Sequence, residues 1–502
     1  MDVLAGLMQG FGVALQPLNL LWCFVGVVLG TVIGVMPGLG PPATIAMLLP
    51  LTFLMNPASA IIMLAGIYYG AKYGGSTTSI LLNVPGESAS VATCIDGYEM
   101  AKKGRAGAAL GIAAIASFIA GTVGVLGLML IAPPLARVSL AFSSPEYFAL
   151  MSLGLAMVVL LGGESMVKAL LATLVGLWLA GIGTDLFSQT SRFTFGQMEL
   201  LSGIDFVVVA IGVFALGEVL ANMEERGAAP MIEVPKGLRN LLPTLQDLKD
   251  SRFAFVNGSV VGFLIGVLPG AGATIATFLA YAAEKRISKT PELFGTGMIA
   301  GVASPEAANN SSTGGAMIPL LTLGIPGSGT TAVLLGMLTL FSLQPGPLLF
   351  TKNPDFVWGL IASMYIGNVM LLVLNIAFVP AFVAVLRVPY KVLAALIAVF
   401  CLVGVYSVNY SVQDLWIMLA FGAIGYLTLK MDYPQAPLLL ALVLGGFMEV
   451  SMRQSLKISH ADISIFFTRP IAAVIMISVI VILLWPLLSR LRPRSAAQEV
   501  KT

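Results

Sequence analysis

Pro37-Gly38-Leu39-Gly40 and Pro269-Gly270-Ala271-Gly272 each interrupt an apolar run, and a threonine follows each, Thr44 and Thr274. A break of this kind frees backbone N–H groups at the start of the next half-helix, where they carry a partial charge of about +0.5. Such an end can hold an anion without a buried cation. Gly40 and Gly272 allow close backbone approach, and Thr44 and Thr274 put hydroxyls in the first turn. A second pair of breaks, Pro85-Gly86 and Pro326-Gly327, is followed by Ser88 and Ser328, both N-cap residue types, with Thr330 and Thr331 as further donors. Ahead of these lie Ser76, Thr77, Thr78 and Asn83 in one half, and Asn309, Asn310, Ser311, Ser312 and Thr313 in the other. Neutral oxygens ligate Na⁺, and amides and hydroxyls bind carboxylates. The candidate substrate-binding residues are therefore Gly38, Gly40, Thr44, Ser76, Thr77, Thr78, Ser88, Gly270, Gly272, Thr274, Asn309, Asn310, Ser311, Ser312, Thr313, Ser328 and Thr330. Asn83, Asn310 and Thr313 are the candidate cation ligands.

Each of these has a plainer use. The GxxxG spacing of Gly26, Gly30 and Gly34, and again of Gly258, Gly262 and Gly266, suits helix packing better than ligand contact. Serine and threonine in membrane helices often bond their own backbone. The run Asn309 to Thr313 resists that account, because two amides and three hydroxyls in sequence are costly in an apolar setting without partners. Charges near the breaks are few: Lys72, Glu87, Asp96 and Glu306. Lys72 could offset substrate charge or snorkel to an interface. Glu87 could carry a proton or cation, or simply complement a helix dipole. Glu218 is expected at a cytoplasmic helix end, and His460 in a solvated loop.

The elements that must position these residues are membrane helices. With 502 residues, 58% hydrophobic and 10% charged, the chain has too few charges to cover a soluble protein of this size. Apolar runs at 106–131, 148–161, 167–182, 206–221, 360–386, 392–406 and 470–489 are long enough to span or nearly span a bilayer core, which takes about 20 residues. A net charge of +2 with no basic stripe excludes nucleic acid as a partner. Cys23, Cys94 and Cys401 show no metal-ligand or disulfide spacing. No Lys or Arg precedes the first apolar run, so the first helix is expected to stay rather than be cleaved as a signal peptide.

Aligning Pro37 with Pro269 superimposes GVVLGTVIGVMPGLGPPATIA on GSVVGFLIGVLPGAGATIA, and GGSTTSILLNVPGESAS is echoed by GGAMIPLLTLGIPGSGTT. Paired broken helices in a duplicated apolar chain are the pattern of a secondary transporter. Basic residues switch loops between the halves: Lys102, Lys103 and Arg105 in the first, Lys285, Arg286 and Lys289 in the second. This supports inverted rather than parallel repeats. The expected fold is an all-α polytopic membrane protein of two inverted-topology repeats with broken or re-entrant helices and an additional C-terminal helix. Its divisions are a first repeat at 1–222, a cytoplasmic linker at 223–252, a second repeat at 253–450, an external loop at 451–469, and a final helix and basic cytoplasmic tail at 470–502. The N-terminus falls outside. The loop with Arg453, Lys457 and Arg469 dissents from the charge rule.

The phrases GVMPGLGPPATIAMLLP, YGAKYGGSTTSILLNVPGESASVATCIDGYEMAKKGRAG, GVLPGAGATIATFLAY and EAANNSSTGGAMIPLLTLGIPGSGTTAVLLGML resemble the large membrane subunit of tripartite tricarboxylate transporters, the TctA family, and the likeness spans essentially the whole chain. The resemblance implies a bacterial inner-membrane permease that is not an enzyme. It implies import of citrate-like di- and tricarboxylates without ATP, driven by an ion gradient, often of Na⁺, with the choice between Na⁺ and H⁺ open and no other cofactor. It also implies a TctB-like small membrane subunit and a TctC-like periplasmic solute-binding protein as partners. Two other classes stay open. Glu306-Ala307-Ala308, Gly314 and Ile325-Pro326 mimic the cytoplasmic coupling loop of an ATP-driven importer permease. An intramembrane enzyme would need a Ser-His pair, a metal-ligand set or paired acidic motifs, and His460 is the sole histidine.

Overall fold

Lipid offers backbone groups no hydrogen-bond partners, so a chain this apolar must satisfy its N–H and C=O groups inside helices. The computed structural model, which describes residues 3–36, 39–161, 165–185, 187–224, 232, 237–386, 388 and 390–491, is an all-α polytopic membrane protein. Among the described residues seven helices are long and apolar enough to cross a bilayer, with shorter apolar helices between them. The first half holds α1 (Val3–Ala14), α2 (Pro17–Val35), α3 (Pro41–Leu48), α4 (Pro57–Leu82), α5 (Val91–Met100), α6 (Ala106–Val138), α7 (Ser144–Leu161), α8 (Met166–Ala180) and α9 (Phe206–Asn222). A small hairpin, β1 (Gly183–Thr184) on β2 (Ser191–Arg192), lies between α8 and α9. The second half holds α10 (Arg252–Val267), α11 (Gly272–Ile287), α12 (Ile299–Leu323), α13 (Gly329–Leu340), α14 (Pro354–Ala377), α15 (Tyr390–Asn409), α16 (Val412–Lys430) and α17 (Gln435–Ile458), followed by α18 (Pro470–Leu491).

The breaks fall where proline and glycine place them. In the second half, Gly270 and Gly272 take φ of +81° and +63° between α10 and α11, a region open to glycine at little cost. A Cβ at Gly270 would also stand 2.5 Å from Val158 Cα. The second pair of breaks ends on left-handed caps, Asn83 (φ 57°) after α4 and Gly324 (φ 70°) after α12. Pro37 and Gly38 lie outside the described residues. The expected apolar run 360–386 divides after Ala377, because Pro380 cannot continue the α14 hydrogen-bond ladder.

Glycine rows close the two most extensive helix contacts, α2 on α4 and α10 on α12. Gly26, Gly30 and Gly34 lie on the backbone of Met63, Ile67 and Ala71, and Gly258, Gly262 and Gly266 lie on Ser304, Ala308 and Ser312. Packing, not ligand contact, is thus their role. Helix α12 also packs on α6, where Gly314 meets Gly124, and every residue from Ile299 to Thr322 is buried. Asp96 of α5 latches the start of α12. Its carboxylate accepts from the N–H groups of Gly295 (2.9 Å), Gly297 (2.7 Å) and Met298 (2.7 Å) and from the Tyr281 hydroxyl (2.8 Å). Removing one side of a buried charged network costs about 3–5 kcal/mol. Asp96→Ala should therefore lower the melting temperature of the detergent-purified protein by several degrees or more, with Asp96→Asn intermediate.

Helix α17 runs on to Ile458, so the segment from 451 begins as helix rather than loop, stabilised by the Arg453–Glu449 pair one turn apart. Two of that segment's cations are held in ion pairs, Arg453 with Asp185 (2.9 Å) and Arg469 with Glu146 (2.6 Å). The N–H groups of Phe187 and Ser188, with Arg453, hold the Asp185 carboxyl down at about 2. Within the linker, 225–231 and 233–236 lie outside the described residues, as do Arg492 and Arg494 of the tail. A capped turn at Leu245–Asp250 places Asp247 against Arg105 (2.5 Å) at the foot of α6.

Candidate functional site

A helix start exposes N–H groups that no residue within the helix can satisfy. Four such starts, those of α3, of the segment running into α5, of α11 and of α13, converge on one cavity of about 550 Å³. Pro41 and Pro42, Ser88 and Ala89, Gly270 to Ile275, and Ser328 to Thr330 line it, with Tyr68 and Lys72 of α4, Glu87, Val158 and Leu161 of α7, and Ala436 and Leu440 of α17. The two halves touch directly here. The Thr274 hydroxyl donates to Ser88 Oγ (3.0 Å), and within the second half the Gly270 N–H donates to the Gly327 carbonyl (3.0 Å).

Three of the four starts are already answered by the protein. Ser328 Oγ accepts from the Thr331 N–H (3.3 Å) and caps α13. Glu87, not Ser88, is the cap residue ahead of α5, and it shares a capping box with Ser90; Ser88 is left free to reach Thr274. Helix α3 begins with two prolines that have no N–H, and the Gly40 N–H donates to Glu218 Oε2 (3.2 Å). Glu218, in the last turns of α9, thus also meets the break at Gly40. Helix α11 has no side-chain cap, and its first residues, Gly272 to Ile275, line the cavity. It is the open amide end.

The single cation among the lining residues is Lys72, which is 5% exposed. Its Nζ lies 2.9 Å from Glu87 Oε2 and 5.6 Å from the centre of the Tyr68 ring. Glu87 Oε1 accepts from Asn309 Nδ2 (2.9 Å). Behind this pair runs a second polar layer in which Glu306 accepts from Ser76 (2.6 Å), Thr93 and Ser117 (3.4 Å), and Asn310 donates to Ser117 (2.7 Å). The Oδ1 atoms of Asn309 and Asn310 are buried without a hydrogen-bond partner among the described residues. A cavity of similar size, about 460 Å³ around Ser139, Phe142, Tyr147, Gly324, Pro345 and Phe447, has no charged residue in its lining and is unsuited to an anion.

Of the residues singled out in the sequence, Ser88, Gly270, Gly272, Thr274, Ser328 and Thr330 line the main cavity. Gly40 stands one residue behind it, and Gly38 lies outside the described residues. Ser76 joins the Glu306 layer, and Thr77 lines a small void beside it. Thr44, Thr78, Ser312 and Thr313 each donate to a carbonyl of their own helix turn, and Ser311 donates to the Ser259 carbonyl of α10 (2.7 Å). Asn309 reaches the cavity only through Glu87. Asn83 is the left-handed residue that ends α4. Glu306-Ala307-Ala308 is fully buried within α12, so this segment cannot serve as a cytoplasmic coupling loop. Tyr68 was not expected at the site, and its only sequence signal was proximity, since it precedes Lys72 by one helical turn.

The chain matches a family model described as the tripartite tricarboxylate transporter TctA family over residues 20–440. It is 46% identical over 502 residues to an uncharacterized 52.8 kDa protein of the TAR-I ttuC' 3' region of Agrobacterium vitis, covering 99% of this chain and all of that one. A second Agrobacterium vitis protein, from the TAR-II ttuC' 3' region, is 43% identical over 212 residues, covering 42% of this chain and 88% of its own length. No solved structure matches significantly.

Proposed function

Because the chain belongs to the tripartite tricarboxylate transporter TctA family, a family of membrane transporter components, we propose that it is the permease that imports citrate-like di- and tricarboxylates across the bacterial inner membrane. The observation that carries this reading is the meeting of Lys72 with the uncapped start of α11 in a cavity large enough for a small organic acid. One carboxylate of the substrate pairs with Lys72, displacing or sharing it with Glu87. Another lies on the N–H groups of Ala273 to Ile275, within reach of the Ser88, Thr274 and Thr330 hydroxyls. Remaining charge is neutralised by a co-transported cation, since a di- or trianion in a low-dielectric site is otherwise heavily penalised.

Residues 1–222 and 253–450 form the two inverted repeats, with 223–252 and the C-terminal tail in the cytoplasm and the N-terminus outside. A TctC-like periplasmic solute-binding protein delivers the substrate and a TctB-like small subunit completes the assembly. Alternating access carries the site across, the broken elements moving as a body against the later helices. The test is uptake of labelled citrate and succinate into proteoliposomes holding the full chain and small subunit, without ATP, with and without the binding protein and an imposed Na⁺ or proton gradient. Saturable, gradient-dependent uptake is expected. Uptake that requires ATP and a nucleotide-binding partner would favour the importer alternative.

A further inference from the structure

Glu306 is a carboxyl with no exposure at all, and among the described residues its oxygens meet no lysine or arginine. An ion in that position must be neutralised by a proton or a cation. Three hydroxyls from three helices aim at it: Ser76 of α4 on Oε2 (2.6 Å), Thr93 of α5 on Oε1, and Ser117 of α6 on Oε2 (3.4 Å). A hard cation held about 2.4 Å from each ligand keeps its oxygens roughly 3 Å or more apart. Direct contact between Ser76 Oγ and Glu306 Oε2 leaves no such room. The hydrogen bonds do, however, close for both protonation states. When Glu306 is ionised, Ser76 donates to Oε2. When Glu306 is protonated, Oε2–H donates to Ser76 Oγ, and the Ser76 proton turns to the Lys72 carbonyl 3.3 Å away. Ser117 remains fixed by Asn310 Nδ2 in either state, and Asn310 cannot be flipped, because the same nitrogen donates to the Glu306 carbonyl (3.2 Å).

We propose that Glu306 is a proton-binding site whose proton travels with the substrate. The proposal rests on the transport reading for its role and on the Ser76–Thr93–Ser117 geometry for its existence. The site is wired to the cavity through two helices. Ser76 lies one turn from Lys72 on α4, and Glu306 lies one turn from Asn309, the donor to Glu87, on α12. A substrate carboxylate on Lys72 adds negative charge near Glu306 and raises its proton affinity. Other titratable groups facing it are Glu87, Tyr73 of α4 and Cys94 of α5. Asp96 is engaged by the start of α12, and Arg137, Arg252, Glu284, Lys285 and Arg286 stand in the terminal turns of α6, α10 and α11. The proton binds from the side on which substrate enters and leaves to the opposite side with it.

The experiment is an infrared pH titration of the purified full chain, paired with citrate uptake in proteoliposomes. Wild type should show a protonated-carboxyl band that Glu306→Gln lacks; an unchanged band overturns the proposal. An inward proton gradient of about one pH unit should concentrate citrate up to about tenfold per proton carried. Glu306→Gln should lose that response while citrate–citrate exchange persists. A full response to a Na⁺ gradient at equal pH, unchanged in Glu306→Gln, also overturns it. Thr93→Val, which removes one donor to the ionised form, should move the band's titration to higher pH, and no shift counts against the site even if Glu306→Gln fails to fold. If wild type takes up neither citrate nor succinate, the transport reading fails, and the infrared titration alone decides Glu306.

Discussion

Lys72→Met is expected to reduce carboxylate uptake to background and to weaken binding about 10–100-fold, the worth of one hydrogen bond to a charged group at a desolvated site. No second cation in the cavity lining can take its place. The same change leaves Glu87 buried and unpaired, at a cost of about 3–5 kcal/mol, so loss of transport alone would be ambiguous. The double variant Lys72→Met with Glu87→Gln removes both charges and should recover the folded yield without recovering binding. Glu87→Gln alone keeps Lys72 and an acceptor for Asn309 Nδ2 at position 87 but deletes the protein's own carboxylate from the lysine. It should bind substrate more tightly than wild type, because the internal competitor is gone. Calorimetric titration of citrate into the three variants separates these outcomes. Equal affinity in Lys72→Met and wild type would place the anion elsewhere.

The backbone chemistry of this site was legible in the sequence, whereas its pairings were not. Proline and glycine fix where helices stop through local sterics, so the breaks at Pro85, Pro269 and Pro326 could be placed from residue type alone. Their convergence on one cavity is seen only in the folded chain. Capping depends on which residue takes the extended conformation, and that choice separated Glu87 from Ser88 in a way no residue scale records. Back-bonding of Thr44, Thr78, Ser312 and Thr313 was an open alternative for every hydroxyl, and it is what these four do. The Glu306 layer joins residues 230 positions apart on the chain, Ser76 and Glu306, and Glu218 reaches Gly40 across 178. Such contacts come from how helices pack, which periodicity without homologues cannot supply.

Packing therefore sets the site, and the second large expected effect lies in it. Gly262→Val should abolish recovery of folded protein. A Cβ at Gly262 collides with the Ala308 carbonyl and Cα on α12, backbone atoms that cannot rotate away. Relief requires α10 and α12 to separate, and overpacking of this kind costs about 1–3 kcal/mol or more. The neighbours of Ala308 are Asn309 and the rest of the buried polar run, so a shift of α12 pulls Asn309 from Glu87 and Glu306 from its hydroxyls. Gly30→Val should behave alike through Ile67 on α4, the helix that carries Lys72. Gly446 in α17 supplies the contrast, since a Cβ there meets nothing within 4 Å. Gly446→Ala should be neutral or stabilising by up to about 1 kcal/mol from helix propensity. Size-exclusion yield and melting temperature of the three variants test this ordering. A Gly262→Val protein that folds with wild-type stability would mean that α10 and α12 do not approach as closely as their glycine row allows, and with it the placement of Asn309 and Glu306 behind the cavity would fall.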